Sequence, residues 1–312
     1  MADKTATRES YGKALVELAD KYENLVVLDA DLAAATKTGM FKKAHPERFF
    51  DCGIAENNMM GVAAGLALSG KIPFASSFAM FAAGRSFEQV RNSIGYPHVN
   101  VKIGATHGGI TVGEDGATHQ CCEDFALMRV IPGMGVMSPA DDIEARQAVE
   151  AAINHVGPVY IRFGRMAVPN VHKEDYKFEI GKGVVLKDGK DVTIIANGVE
   201  VAEAMEAAEM LKEDGIDAAV VNMATIKPLD NELVLEMAKK TGVIVTAEEH
   251  SVIGGLGSAV SEYLTEACPV PVLKIGVKDT FGRSGPAKEL LGLFELDAKA
   301  IAAKAKQAVM LK

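Results

Sequence analysis

The sequence predicts an α/β protein with two parallel or mostly parallel three-layer domains. Two observations lead to this prediction. Short apolar strands alternate with helical segments along the chain, and a polar segment near the middle divides this alternation into two series. Strands that are apolar throughout are typical of sheets covered by helices on both faces. We therefore place domains at residues 1–168 and 191–312, with a linker and a first strand at 169–190.

The first series opens with a helix, because apolar residues recur at helical spacing over Thr7–Tyr22. A short apolar strand, Leu25–Leu28, follows and leads into Asp29-Ala30-Asp31. Apolar runs predict further strands at Phe49–Cys52, Ile72–Ser76, Val99–Gly104, Gly135–Met137 and Val159–Phe163. The segments between them predict helices at Asn57–Leu68, Ala82–Ile94, Glu123–Arg129 and Ala140–Asn154.

The second series begins after a change in composition. The segment between Val168 and Lys190 mixes Lys, Asp and Glu with few apolar residues, which is typical of a linker. Beyond it, the predicted strands are Val192–Ala196, Ala218–Val221, Val243–Val245 and Val272–Lys274. The predicted helices are Glu200–Glu213, Asn231–Lys239 and Ser258–Thr265. This alternation predicts a second parallel α/β unit.

The bulk composition argues against two classes of partner. The 312 residues carry a formal net charge of -9 and no basic block, so a nucleic-acid role finds no electrostatic support. No apolar run approaches the length of a membrane span, and Met1–Thr5 lacks the apolar core of a signal peptide. The four cysteines show no metal-ligand spacing. We expect a cytoplasmic protein that binds neither nucleic acid nor a membrane.

Several polar residues fall just past the ends of predicted strands, where parallel sheets bind their ligands. These residues are Asp31, Glu56, His107 and Arg165. Glu56 follows small and apolar residues and precedes a tight helix, so burial would raise the pKa of its carboxyl group and suit it to proton sharing. Taken alone, Glu56 is better explained as an acid favoured by the helix dipole, and the surrounding motifs reverse that preference.

A glycine-rich loop, Thr106–Gln120, contains two histidines and two acids. The loop contains His107, Asp115 and His119, but these residues do not have the spacing of a zinc site, because no convincing third ligand is close by. We therefore assign no metal ligands here. Imidazoles beside a carboxylate suit a polyhydroxylated carbonyl substrate, since they can bind hydroxyls and shuttle protons to a developing alkoxide. The alternative is a polar surface loop with incidental histidines.

Aromatic and basic residues complete the candidate set. Phe78 and Phe81 lie where a strand gives way to a helix and could stack on a flat ring, although core packing is the alternative for any single Phe. Arg8 opens the first helix, and Arg165 follows the last strand of the first series. Guanidinium groups there could clamp a phosphate, and the alternative is an ordinary solvated or salt-bridged arginine.

These residues stand in segments that resemble the C-terminal half of transketolase, over essentially the whole chain. Gly53-Ile54-Ala55-Glu56 looks like the segment that bears the glutamate contacting N1' of thiamine diphosphate. Gly113-Glu114-Asp115-Gly116-Ala117-Thr118-His119-Gln120 is the most specific match. The resemblance implies a pyrimidine-binding domain followed by the transketolase C-terminal domain, and a two-carbon ketol transfer from a ketose phosphate to an aldose phosphate, as in the pentose phosphate pathway.

The resemblance also implies a role for each candidate residue. Glu56 would activate the coenzyme, with Phe78, Phe81 and Asp31 as further cofactor-binding residues. His107 and His119 would act catalytically on the donor sugar. The substrate-binding set would be Arg8, His107, Asp115, His119 and Arg165. Thr36 stands near the position of the family's phosphate-binding serine as a substitute.

A motif expected of full-length members is missing. They carry Gly-Asp-Gly and a later Asn to hold Mg²⁺ and the diphosphate, whereas Asp188-Gly189-Lys190 lacks the leading Gly and the later ligand. We therefore expect an N-terminal transketolase subunit to supply the diphosphate domain and the Mg²⁺ ligands. The expected assembly is a heterotetramer with two chains of each kind, acting on sugar phosphates.

Three alternatives remain open at this stage. A 1-deoxyxylulose-5-phosphate synthase fits Arg162–Arg165 and Gly53–Glu56, but His107 argues against it. The β subunit of a 2-oxoacid dehydrogenase is disfavoured by the paired histidines and by Gly-Glu-Asp-Gly. A regulatory or scaffold protein that has lost its chemistry is disfavoured by the joint presence of Glu56, His107, Asp115 and His119.

Overall fold

The computed structural model describes residues 4–312, and the first half of the chain supplies six strands of a seven-stranded sheet. Its strands are β2 (Leu25–Asp29), β3 (Phe49–Asp51), β4 (Ile72–Phe78), β5 (Lys102–Thr106), β6 (Gly135–Met137), β7 (Val159–Phe163) and β12 (Thr225–Lys227). They lie in the order β12-β6-β7-β5-β4-β2-β3. All neighbours are parallel except β12, which runs antiparallel to β6.

Helices cover both faces of this sheet. They are α1 (Thr7–Ala19), α2 (Ala33–Thr36), α3 (Gly39–Ala44), α4 (Glu56–Leu68), α5 (Phe87–Gln89), α6 (Asp124–Arg129) and α7 (Asp142–Asn154). π-helical turns flank α5 on both sides, so residues 80–95 form one irregular helical segment. One apolar core lies under α1 and α7, and a second lies under α4 and residues 80–95. The predicted layered architecture of this half is confirmed.

The second half forms a five-stranded sheet in the order β14-β13-β10-β11-β9. Its strands are β9 (Val184–Lys187), β10 (Val192–Ala196), β11 (Ala218–Asn222), β13 (Ile244–Ser251) and β14 (Val272–Val277). Its helices are α8 (Glu200–Glu213), α9 (Asn231–Thr241), α10 (Leu256–Ala267), α11 (Ala287–Leu293) and α12 (Ala298–Val309). Only β9 is antiparallel to its neighbour, so the prediction of a mostly parallel sheet is confirmed.

Short strands tie the two halves together. β1 (Lys4–Ala6) pairs antiparallel with β8 (Ala167–Pro169), so the start of the chain lies against the end of the first half. β12 comes from the second half of the sequence yet completes the first sheet, beside β6. The segment after β8 is anchored by Asp141, whose Oδ2 accepts the backbone N–H groups of Val171 and His172, both at 2.8 Å. The segment predicted as a linker is thus bonded to the first domain.

Several element boundaries differ from the prediction. α4 begins at Glu56 itself, and β4 continues through Phe78. β13 extends to Ser251, so that Glu248, Glu249 and His250 lie within a strand rather than after one. These polar side chains are tolerated because neighbouring elements supply their hydrogen bonds, which periodicity does not reveal. No helix in residues 4–312 combines the length and the apolar character needed to cross a membrane.

Candidate active site

The candidate residues gather at one edge of the seven-stranded sheet. The parallel strands β2, β3, β5 and β7 end there, and Asp31, Glu56, His107 and Arg165 follow them in the chain. Phe78 is the last residue of β4, which lies between β2 and β5. Parallel strands present their carboxyl ends at the same edge, so residues far apart in sequence share this region.

Glu56 lies buried at the first turn of α4, and Arg85 holds its carboxylate. Arg85 Nη1 donates to Glu56 Oε1 at 3.0 Å and to Oε2 at 2.9 Å. The Arg85 side chain is 50% exposed, and its guanidinium lies over the Phe81 ring, 4.5 Å from the centroid. The carboxylate predicted to stand in an apolar pocket therefore has a compensating cation, one side of which faces solvent.

Arg85 is a site residue that sequence reasoning missed. A signal was available, because Arg85 follows Phe81 by four positions and residues at that spacing are neighbours on a helix. Its pairing with Glu56 joins segments 29 positions apart, which no local pattern specifies.

The aromatic residues and both histidines form one cluster. The Phe78 and Phe81 rings, called the aromatic wall below, lie 5.9 Å apart with an interplanar angle of 11°. The imidazole of His107 stacks on Phe78 with centroids 3.8 Å apart. His119 presents its edge to Phe81 at 5.5 Å and to Phe78 at 6.2 Å. The two histidines of the glycine-rich loop thus converge on the aromatic wall.

His107 is neutral because Arg8 donates to it. Arg8 Nη1 lies 3.0 Å from His107 Nε2, and a guanidinium can only donate, so Nε2 is the acceptor. The proton therefore sits on Nδ1, which lies 2.8 Å from the Thr106 hydroxyl. Burial, followed by the positive charges of Arg8 and Arg165, lowers the pKa of His107 to about 3. His107 can offer Nε2 to a ligand only when Arg8 releases it.

We expect acid to destabilise the wild-type chain more steeply than a His107→Gln variant. The pKa of His107 is about 3 in the folded chain, against ~6.5 for an unfolded histidine. Stability is fully present above the unfolded value and is lost as the pH falls, because only the unfolded chain takes up this proton. The difference in slope reaches about 1.4 kcal/mol per pH unit between the two pKa values and is smaller near ~6.5. Urea unfolding of both proteins at several pH values from about 4 to 7 measures it, and parallel curves would contradict the neutral assignment.

Two arginines lie close together beside this cluster. Arg8 Nη1 also donates to the Ala35 carbonyl at 2.9 Å, while Arg165 Nη1 donates to the carbonyl of Val112 and to Glu114 at 2.8 Å. Burial lowers the pKa of Arg8, and the charge of Arg165 lowers it further. Neighbouring cations of this kind attract an anion, so phosphate binding by Arg8 and Arg165 stays a prediction.

Asp31 and Asp115 have fewer contacts than the other candidate residues. Both are exposed, and neither side chain makes a hydrogen bond or ion pair within residues 4–312. Asp31 has a left-handed backbone, with φ of 62°, immediately beyond β2. Their roles toward cofactor and substrate stay predictions. In the same range of residues, no three His, Cys, Asp or Glu side chains are placed to hold a metal ion.

The expectation for Thr36 is wrong. Its side chain is fully buried, and its hydroxyl donates to Asp29 Oδ2 at 2.7 Å, so it is not available to a phosphate. Thr38 donates to the same oxygen at 2.8 Å. Burial raises the pKa of Asp29 to about 6, while the hydroxyls of Thr36 and Thr38 oppose that rise. The two threonines instead serve this buried carboxyl group.

Two family models match the chain and together span most of it. The pyrimidine-binding domain of transketolase matches residues 3–171. The transketolase C-terminal domain matches residues 181–301.

Three curated relatives cover nearly the whole chain. A putative transketolase C-terminal section from Methanocaldococcus jannaschii is 54% identical over 298 residues, which are 95% of this chain and 93% of that protein. The 6-deoxy-6-sulfo-D-fructose transketolase subunit of a Clostridium species is 48% identical, with 94% and 91% covered. An apulose-4-phosphate transketolase subunit of Phocaeicola vulgatus is 42% identical, with 95% of each covered.

A solved structure is similar over its full length. It is a split gene transketolase in an inactive β4 tetramer, with 57% identity and a TM-score of 0.92. The match covers 99% of this chain and 100% of that one.

Proposed function

The chain belongs to the transketolase family, and we propose that it is the C-terminal subunit of a split transketolase. In this proposal it transfers a two-carbon ketol unit from a ketose phosphate to an aldose phosphate through thiamine diphosphate. The division into subunits is supported by relatives that are themselves named as a C-terminal section or as transketolase subunits, and that match this chain over more than nine-tenths of their length.

The observation that carries the proposal is a buried carboxylate beside an aromatic wall. An aminopyrimidine needs a flat apolar partner, and its N1' needs a carboxyl group that can share a proton. Glu56 and the wall of Phe78 and Phe81 offer both, and Arg85 contacts Glu56 and Phe81 at once. The chemistry of these residues therefore fits the pyrimidine of thiamine diphosphate.

Each site residue then has a task in the transfer. When bound, thiamine diphosphate supplies a nucleophilic carbon that takes up the two-carbon unit and passes it on. Glu56 would bond N1' in competition with Arg85, and Phe78 and Phe81 would hold the pyrimidine. His119 would move a proton at the carbonyl oxygen, where a negative charge develops, and His107 would accept a hydrogen bond from a sugar hydroxyl at Nε2 once Arg8 releases it.

Other residues bind the rest of the ligands. Arg8 and Arg165 lie close enough for the charge of one to lower the pKa of the other, and we assign both to the sugar phosphate. Arg165 would exchange its bond to Glu114 for the phosphate. Asp115 is exposed and would accept hydrogen bonds from sugar hydroxyls, and Asp31 would contribute on the cofactor side.

The diphosphate and its Mg²⁺ are assigned to a partner subunit. Mg²⁺ prefers oxygen ligands in octahedral geometry and is usually shared between carboxylates and phosphates. We propose that an N-terminal transketolase subunit supplies these ligands and the backbone donors for the diphosphate. A heterotetramer with two chains of each kind would then complete the sites between subunits.

The names of the relatives bear on the reaction and leave the sugar open. All three are named transketolases, which favours ketol transfer over the 1-deoxyxylulose-5-phosphate synthase-like and 2-oxoacid dehydrogenase-like alternatives. The names of two of them include other sugars, 6-deoxy-6-sulfo-D-fructose and apulose 4-phosphate, which we take as candidate donors. A preference for one donor is therefore left to the assay.

We expect ketol transfer only when the partner subunit is present. The assay uses xylulose 5-phosphate and ribose 5-phosphate with thiamine diphosphate and Mg²⁺, on this chain alone and on the complex that it forms in its native lysate. Omission of Mg²⁺ is the control for the activity. The chain alone should bind thiamine diphosphate weakly, measured by calorimetry, because it lacks the diphosphate ligands.

Two results would count against the proposal in different ways. Tight, Mg²⁺-dependent binding of thiamine diphosphate by this chain alone would refute the divided site. A complex inactive with xylulose 5-phosphate, with the two donors named above and with fructose 6-phosphate would refute ketol transfer, and pyruvate would be the next substrate tried.

A further inference from the structure

The second domain contacts the glycine-rich loop at several points. Gln120, at the end of the loop, donates from Nε2 to the carbonyls of Ile110 at 2.9 Å and Arg283 at 2.8 Å. α11 packs against the helical turn at residues 110–115. The loop that carries His119 and Asp115 is therefore shaped by contacts with both domains.

Glu249 makes the direct contact from β13 to this loop. Its side chain is 5% exposed, and its Oε1 accepts the backbone N–H of Thr111. Gly109 lies against the same carboxylate, because a Cβ placed there would stand 2.2 Å from the Glu249 carboxyl carbon. Gly109 also has φ of 78°, a conformation that other residues rarely adopt. The sequence and backbone of the loop are thus matched to the Glu249 carboxylate.

The neighbours of Glu249 on β13 have different contacts. Glu248 accepts the backbone N–H groups of Leu256 at 2.7 Å and Gly257 at 2.8 Å, at the start of α10. His250 stacks on Phe125 at 5.0 Å and lies 3.3 Å from the Ala126 nitrogen. Glu248 therefore supports the second domain, and His250 supports α6. Of these three side chains, only that of Glu249 bonds the glycine-rich loop.

A short chain of contacts joins Glu249 to the substrate-binding residues. Thr111, which donates to Glu249, is followed directly by Val112, whose carbonyl accepts from Arg165. Arg165 lies near Arg8, which in turn donates to His107. A shift of the Thr111 amide would therefore move the carbonyl that holds Arg165 and the turn that leads to Asp115 and His119.

We propose that Glu249 is a positioning residue through which the C-terminal domain sets the glycine-rich loop for sugar binding. This inference rests on the proposed function, because it assigns the loop to the substrate. It gives the C-terminal domain an indirect part in the reaction, because Glu249 positions the loop and does not contact the reacting atoms. In this proposal the domain acts through the hydrogen bond that the Thr111 amide donates to the buried Glu249 carboxylate.

The test compares Glu249→Ala and Glu249→Gln with a matched control, Glu248→Ala. The glutamine can still accept from Thr111, whereas the alanine cannot. Glu248 is also a buried acid of β13, but it bonds α10 instead of the loop. We expect Glu249→Ala in the reconstituted complex to lower kcat/KM for the sugar donor about 10- to 100-fold, the loss associated with misplaced site groups. The KM for thiamine diphosphate should stay unchanged, since Glu56 and the aromatic wall lie on other segments.

Hydrogen exchange supplies a readout that does not depend on activity. In Glu249→Ala, amide exchange over residues 108–120 should rise while β13 and β14 stay protected, and Glu249→Gln should restore both protection and most of the activity. Glu248→Ala should raise exchange at the start of α10 and leave the loop protected.

Three outcomes would overturn the proposal. The first is unchanged amide exchange of the loop in Glu249→Ala. The second is faster loop exchange in Glu249→Ala with a normal kcat/KM. The third is an equal loss of kcat/KM in Glu249→Ala and Glu248→Ala. Failure of the proposed function is distinguishable from all three, because it appears as absent ketol transfer in the wild-type complex.

Discussion

Replacing Glu56 with alanine should lower turnover in the reconstituted enzyme about 10²–10⁴-fold, the range that one positioned acid–base group contributes. Glu56 is buried at the first turn of α4, and among the described residues Arg85 is the only cation that pairs with it. Alanine removes the carboxylate that Arg85 links to the aromatic wall. Glu56→Gln should fail similarly, since an amide cannot share a proton with N1'. The measurement is steady-state ketol transfer at saturating thiamine diphosphate.

A matched control separates this role from a helix-terminal one. Glu232 also lies in the first turn of a helix, α9, but its side chain is 89% exposed and pairs with Lys182 on the surface. If Glu56 served only to complement the helix dipole, Glu56→Ala and Glu232→Ala would change stability slightly and leave turnover intact. Near-normal turnover of Glu56→Ala would therefore remove Glu56 from the catalytic set.

Arg85 affects what the Glu56 variants measure, because it bonds the Glu56 carboxylate. Arg85 Nη1 bonds both Glu56 oxygens, so it competes with a pyrimidine nitrogen for the carboxyl group. Its half-exposed side chain can move into solvent without burying a charge. In the chain without coenzyme, the guanidinium thus compensates the charge of the Glu56 carboxylate. Burial of that charge without a partner would be costly.

The fold was predictable where each element carries its own signal. The strands Gly135–Met137 and Val159–Phe163 were predicted with their final bounds, because they are short apolar runs bounded by breakers. The antiparallel strand β12 was not predicted. It is only three residues long, and its partner β6 lies 88 or more positions earlier in the chain, so the pairing is decided by packing between domains.

The polar part of β13 and the last two helices were harder to predict from the sequence. β13 extends through Glu248, Glu249 and His250 because backbone amides and an aromatic ring meet their polar groups. No periodic pattern shows those partners, which come from other parts of the chain. The α11 and α12 helices were not predicted either, although α12 buries a regular series of alanines against α8.

The candidate site was predictable as a set of residue types and not as a set of contacts. Glu56, Phe78, Phe81, His107 and His119 meet as the motifs suggested. The state of His107 could not be inferred, because it depends on Arg8, 99 positions away. Thr36 was misassigned for a related reason, since its hydroxyl is committed to a carboxyl group that was read only as part of a strand end.

The buried ion pair between Arg162 and Asp124, within the first domain, should be the most costly one to break. Arg162 is 5% exposed, and its Nε lies 2.8 Å from Asp124 Oδ2. Arg162 also donates to the backbone carbonyls of Glu249 at 2.7 Å and Cys121 at 2.9 Å, and it lies over the Phe125 ring. Burial alone would raise the pKa of Asp124, but the Arg162 guanidinium holds it below its usual value. Asp124 is thus charged only because Arg162 is present.

We expect Arg162→Met to lower the free energy of unfolding by about 3–5 kcal/mol, because the variant leaves the Asp124 carboxylate buried without its cation. Adding Asp124→Asn should recover part of this loss. The amide carries no charge and can still accept from the Tyr160 hydroxyl, which lies 2.6 Å from Asp124 Oδ2. Lys306→Met, which removes a solvent-exposed pair with Asp214, is the matched control and should barely change stability. Urea unfolding measures all three, and a double variant less stable than Arg162→Met would show that the cost arises from lost packing and not from the unpaired charge.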